Sequence, residues 1–212
     1  MNRTRIKVCG ITRLDDALRA VDLGVDALGF VFWPGSPRCV SLRQAAAIAE
    51  ALPPLVATVG VFVNQPLDEI RTITSGVGLS AIQLHGDEAP GTWARVPGRC
   101  IKAIAVGPGF DAAAVRAWPL AVLPLLDAHD PARRGGTGRV VEWEGAAALA
   151  RTRHIILAGG LGPSNIREAI MRVRPFAVDV SSGVEREAGI KDPERLRAFV
   201  ESVAAADAGE LT

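Results

Sequence analysis

The chain has 212 residues, 49% hydrophobic and 22% charged, enough apolar material for a large core and too much for a disordered chain. Its 24 basic and 23 acidic side chains leave a formal net charge of +1, which gives no field to attract nucleic acid or an acidic membrane. Three dispersed cysteines argue for a reducing, cytoplasmic compartment, and no apolar run approaches the roughly 18 residues of a membrane span.

The charged start of the chain leads into no signal-peptide core. The first β-rich run, residues 5–9, places Lys7 and Cys9 on one face through the strand period. Thr12 with Asp15 then reads as a capping-box variant. Leu14, Ala17, Leu18 and Val21 follow one face of a helix. Further strands are expected at 26–32, 56–63, 81–85, 100–106, 121–127, 154–158 and 177–181. A helix is expected to start near Pro163-Ser164. The last helix starts at Asp192 and Pro193 and buries Leu196, Phe199, Val200 and Val203. Residues 205–212 are expected to form a disordered tail.

Most of these runs are apolar on both faces, as in strands buried between helices and an interior. Eight strand–helix units in this length predict an α/β chain of a single domain, residues 1–212, closed as a (β/α)8 TIM barrel. The rival is an open doubly wound sheet. Its G-x-G-x-x-G marker is replaced here by Cys9-Gly10-Ile11-Thr12.

In such a barrel the chemistry sits at the C-terminal ends of the strands. Cys9 ends the first, as a buried core thiol, a nucleophile or a general base. Lys7 beside it is expected to lower the thiol pKa and to need an anionic partner, for which Asp179 on the adjacent eighth strand is the candidate. Lys7 as a Schiff-base lysine is the alternative. Arg38, on a loop stiffened by Pro34 and Pro37, is suited to bidentate capture of a carboxylate, or is merely solvated. Cys39 beside it has no evident role. His85 is a site residue or a loop-packing residue, and His154 a structural one.

Asp127 ends an apolar run, which suits a general acid, or else it is a helix cap or loop brace, a role that Asp130 three residues on fits better. The loop from Arg133-Arg134 through Gly135, Gly136, Thr137 and Gly138 closes over a bound anion or is a solvated connection. Gly159 and Gly160, with Ser181, Ser182 and Gly183, would cradle a phosphate on backbone N–H groups, or form ordinary tight turns. The three histidines keep no metal-ligand spacing with the cysteines, so no metal is expected.

At these residues the sequence resembles the phosphoribosylanthranilate isomerase family. The blocks are Lys7-Val8-Cys9-Gly10-Ile11-Thr12, Gly29-Phe30-Val31-Phe32, Ser36-Pro37-Arg38 and Val59-Gly60-Val61-Phe62-Val63-Asn64. They continue through Gln83-Leu84-His85-Gly86, Leu126-Asp127, Gly135-Gly136-Thr137-Gly138, Ala158-Gly159-Gly160-Leu161 and Asp179-Val180-Ser181-Ser182-Gly183-Val184-Glu185. The resemblance implies an Amadori rearrangement of a phosphorylated sugar–anthranilate, with Asp127 as general acid and Cys9 as general base. It implies Arg38 on the anthranilate carboxylate, Asp179 on the sugar hydroxyls or on Lys7, and the seventh and eighth loops on the phosphate. The substrate nitrogen supplies the electrons, so no cofactor is implied. The length suggests a free-standing enzyme, as a monomer or a homodimer. The alternatives are another phosphosugar barrel isomerase and a non-catalytic phosphate-ligand module.

Overall fold

A computed structural model describes residues 3–107, 110, 113–128 and 143–209. The eight expected strands are all present as β1 (Arg5–Cys9), β2 (Ala27–Val31), β3 (Ala57–Phe62), β4 (Ala81–Leu84), β5 (Arg99–Val106), β6 (Val122–Ala128), β7 (Ile156–Leu157) and β8 (Ala177–Val180). Each pairs in parallel with the next, and β8 returns to β1, so the sheet is a closed barrel. The helices are α1 (Leu14–Asp22), α2 (Leu42–Glu50), α3 (Leu67–Val77), α4 (Ala113–Arg116), α5 (Trp143–Ala150), α6 (Ile166–Val173) and α7 (Pro193–Ala208). Between β4 and β5 the connection carries a 3-10 helix, Pro90–Arg95, where a full helix was expected.

The alternation within a strand decides what reaches the site. On β1, Ile6 and Val8 point outward into the main core beneath the helices. Lys7 and Cys9 therefore point inward. The lower interior is filled by Val59, Ile101, Ala103, Leu125 and Ile156, and its upper layer by Cys9, Val31 and Val61 beneath Trp33. At the lower end His154 stacks on Phe176 at 4.4 Å, in keeping with a structural role.

Three expectations need correction. Arg13, not Thr12, is the N-cap of α1 and makes no side-chain cap, while the Thr12 hydroxyl donates to Gly189 O. On α1 Ala17 is buried and Val21 packs against the core as expected, but Leu14 and Leu18 are left exposed, and Asp16 and Ala20 are buried with Ala17 instead. Small alanines let the helix approach the barrel closely, and Asp16 is drawn in because its Oδ2 accepts the Lys191 N–H at 3.1 Å. The tail expected from residue 205 is helical through Ala208, and the Thr4 N–H and hydroxyl both donate to Asp207, at 2.7 and 2.6 Å.

The last helix starts as its sequence predicts. Asp192 accepts from the N–H groups of Glu194 and Arg195, each at 3.0 Å, and Pro193 fills the first turn. Helix α6 begins at Ile166, after a turn through Pro163 and Ser164. After β8 the chain forms a short hairpin, β9 (Glu185–Glu187) and β10 (Ile190–Lys191), which folds back towards the end of β1.

Candidate active site

The C-terminal rim of the barrel gathers the singled-out residues that are described. Lys7 and Asp179 face each other in the β1–β8 register, and Lys7 Nζ donates to Asp179 Oδ1 at 2.9 Å. Both are buried, so the pair expected from sequence is present in the interior. Burial works against the Lys7 charge, but the Asp179 carboxylate and Cys9 outweigh it and hold the ammonium above the usual lysine range. Burial also pushes the Asp179 carboxyl up, against the downward pull of Lys7.

Cys9 sits directly above this pair, and Lys7 lowers its thiol pKa as expected, but the net shift is upward. Burial pushes its thiol up further than the Lys7 and Lys191 charges pull it down, and Asp179 adds to the rise. The thiol is therefore held above the usual cysteine range. Desolvation in a closed barrel exceeds what one ammonium, already shared with a carboxylate, can offset.

Asp127 ends the inward-facing row of β6. It stands beside His85, whose Nε2 is 3.3 Å from Asp127 Oδ2. The Gln83 amide lies 2.7 Å from His85 Nδ1. With that amide donating, Nδ1 is the accepting nitrogen, and Nε2 is the one that faces Asp127. His85, which sequence left undecided, thus stands beside Asp127 at the same rim. Its loop is braced from beneath by a second buried pair. Lys102 Nζ donates to Glu88 at 2.7 Å and to Gly86 O at 2.6 Å, while Glu88 accepts the N–H groups of Gly86 and Asn64.

Arg38 is not merely solvated but anchored. Its Nε donates to Glu185 Oε1 at 2.9 Å and its Nη2 to Glu185 Oε2 at 2.6 Å. Its backbone N–H is tied to Ser36 Oγ at 3.1 Å. Glu185 also accepts from Lys191 Nζ at 2.7 Å. Burial would raise Glu185, but Arg38 and Lys191 hold it below the usual glutamate range, so it stays anionic. Neither Glu185 nor Lys191 was singled out for a role from sequence. The available signal was the scarcity of lysine. The chain has only Lys7, Lys102 and Lys191, and each is buried against a carboxylate.

The loops after β7 and β8 meet. Gly159 and Gly160 take φ of 86° and 63°, the left-handed region that glycine enters without strain. A side chain on Gly183 would place its Cβ 2.0 Å from Leu161 O, so only glycine permits the contact. Ser182 and Gly183 lie in a single 3-10 turn, Ser182–Val184, that follows Ser181. Gly135, Gly136 and Gly138, with Asp130, Arg133 and Arg134, lie outside the described residues. Among the described residues no group of three or more His, Cys, Asp or Glu could hold a metal ion, and no helix is long and apolar enough to cross a membrane.

A closed (β/α)8 barrel with a thiol, a carboxyl, an anchored arginine and paired glycine turns on one rim defines the class: a barrel with an enzyme-type site built at its strand ends. Comparison with known proteins narrows it. Residues 6–202 match the family model described as N-(5'-phosphoribosyl)anthranilate (PRA) isomerase, and the chain belongs to that family. The N-(5'-phosphoribosyl)anthranilate isomerase of Pelobacter propionicus is 48% identical over 196 residues, 92% of this chain and 93% of the relative. The crystal structure of phosphoribosyl anthranilate isomerase from Thermotoga maritima superposes with a TM-score of 0.87 at 41% identity, covering 95% of this chain and 99% of that one. A phosphoribosyl anthranilate isomerase in complex with reduced 1-(o-carboxyphenylamino)-1-deoxyribulose 5-phosphate superposes with a TM-score of 0.83 at 40% identity, covering 95% and 99%.

Proposed function

We propose that this protein isomerises N-(5-phospho-β-D-ribosyl)anthranilate to 1-(2-carboxyphenylamino)-1-deoxy-D-ribulose 5-phosphate, an Amadori rearrangement in tryptophan biosynthesis. The observation that carries the reading is the placement of Cys9 and Asp127 on β1 and β6, apart on one rim, with Arg38 and the glycine turns beside them.

Asp127 donates a proton to the furanose ring oxygen. The bond from that oxygen to C1' breaks, and the anthranilate nitrogen lone pair forms a C=N bond. Cys9, as thiolate, removes the proton from C2', and the electrons pass through C1' to nitrogen to give an enolamine. Tautomerisation yields the ketone. Two groups of different acidity must flank one substrate for this sequence. The Lys7 ammonium stabilises the thiolate form of Cys9. His85 orients Asp127, and Asp179 holds Lys7. Arg38 receives the anthranilate carboxylate. Gly159, Gly160, Ser181, Ser182 and Gly183 receive the phosphate through backbone N–H groups. The protein works in the cytoplasm as a monomer or a homodimer. Its described cysteines carry no disulfide, which suits that compartment.

Turnover of phosphoribosylanthranilate, followed as loss of anthranilate fluorescence, tests the assignment. Cys9→Ala and Asp127→Asn are each expected to lower kcat by about two orders of magnitude or more. Near-normal turnover in either variant removes that residue from its role, and an inactive wild type ends the reading.

A further inference from the structure

The hairpin β9–β10 contributes a buried charge pair to which the reaction as written gives no part. Lys191 Nζ donates to three oxygens: the Cys9 carbonyl at 2.6 Å, the Ser181 carbonyl at 3.3 Å and Glu185 Oε1 at 2.7 Å. It thereby ties the end of β1 to the end of β8. Glu185 receives Lys191 on one side and the Arg38 guanidinium on the other. Its backbone carbonyl accepts from Arg195 Nη1 at 2.7 Å, and its Oε1 accepts the Gly189 N–H at 3.3 Å. Side chains of Lys191 and Glu185 are 1% and 4% exposed, so neither can relax into water.

The geometry of the Arg38 contact matters. Glu185 grips the guanidinium from the side, through Nε and Nη2. A guanidinium has five N–H donors in a rigid plane. Side-on binding therefore keeps the end-on edge, Nη1 with the second hydrogen of Nη2, for another carboxylate. The aliphatic part of Arg38 passes over Gly10, where a Cβ would lie 2.5 Å from Arg38 Cδ, so the side chain is packed against the turn that follows Cys9.

We propose that Glu185 and Lys191 are positioning residues that set the anthranilate-carboxylate receptor in register with the Cys9 thiol. Lys191 fixes the Cys9 carbonyl and Glu185 together. Glu185 fixes the plane of Arg38, so its end-on edge faces the substrate. The inference rests on the assignments of Arg38 and Cys9 made above. A loose carboxylate receptor would let the sugar shift relative to the thiol, and misplacement of about 1 Å costs on the order of a hundredfold in rate.

The test compares two ligands, reduced 1-(o-carboxyphenylamino)-1-deoxyribulose 5-phosphate, which carries the carboxylate, and ribulose 5-phosphate, which lacks it. Glu185→Gln is expected to weaken the first about tenfold or more and the second by less than about threefold. In an Arg38→Ala background, Glu185→Gln should have no further effect on the first ligand, because its action passes through Arg38. Lys191→Met is expected to lower kcat as well as weaken the first ligand, and Lys191→Arg to restore both. Equal weakening of both ligands, or a full effect persisting without Arg38, overturns the proposal as a mere loss of fold stability. If Lys191→Met does not fold, the Glu185→Gln and Lys191→Arg comparisons still decide. Arg38→Ala binding the first ligand as well as wild type would instead refute the carboxylate assignment beneath it.

Discussion

Replacing Gly29 by alanine is the smallest change that tests where the Cys9 thiol must sit. Gly29 lies opposite Cys9 in the β1–β2 ladder. An added methyl would fall 2.8 Å from Cys9 Sγ, 3.1 Å from Cys9 Cα and 3.2 Å from Lys7 Nζ. Non-bonded carbon contacts settle at about 3.5–4.0 Å, so Sγ must retreat by roughly 1 Å and the strand by several tenths. Overpacking of this kind costs about 1–3 kcal/mol. Displacing a reacting group by that distance costs about a hundredfold in rate. Gly29→Ala is therefore expected to fold, to lose about 1–3 kcal/mol in urea denaturation, and to show a kcat lowered by about two orders of magnitude. Its KM should change by less than about threefold, because Arg38 and the glycine turns are untouched. A variant with wild-type kcat, whatever its stability, would refute the claim that the thiol needs the room Gly29 leaves it.

Gly183→Ala sets a Cβ 2.0 Å from Leu161 O. It should part the two glycine turns and raise KM about tenfold or more in steady-state assays, and an unchanged KM would take the phosphate away from that turn. Lys7 pulls the Cys9 pKa down against burial. Without that charge the thiol ionises at higher pH, so Lys7→Met should move the ascending limb of the kcat/KM profile to higher pH, and an unmoved limb would separate Cys9 from Lys7. Burial pushes the Cys100 thiol up to about 11, and Cys39 is exposed. Iodoacetamide near pH 8 should modify Cys39 before Cys9 and Cys100 in peptide mapping, and early loss of Cys9 would contradict its raised pKa.

The strands were legible because their apolar runs and polar ends repeat around the barrel. The Lys7–Asp179 contact was legible because strand alternation and closure together leave an interior lysine one acidic neighbour on the adjacent strands. The α1 face was read correctly at Ala17 and Val21 and misread at Leu14 and Leu18, because a hydrophobic pattern weighs leucines, while close approach selected the small Ala20 beside Ala17. The lowering of the Cys9 pKa by Lys7 was legible, but its net rise was not, because a neighbouring charge is visible in sequence and the depth of burial is not. His85 with Asp127 joins two strand ends that no local spacing relates. Arg38 with Glu185 is separated by 147 positions, and the reach of the β9–β10 hairpin has no signature in its own residues.

The barrel's closure gives those separations a consequence in time. Lys7 meets Asp179 across 172 positions, Lys191 meets the Cys9 carbonyl across 182, and Thr4 meets Asp207 across 203. Almost the whole chain must be in place before the thiol acquires its surroundings. Extending such a loop adds only a logarithmic entropic cost, so late assembly is thermodynamically tolerable but slow. A nascent chain that has made β1 but not β8 carries Cys9 as an ordinary cysteine. The first turnover therefore reports the joining of β8 to β1 and the docking of the hairpin behind them, and activity regained during refolding should lag the return of helical signal.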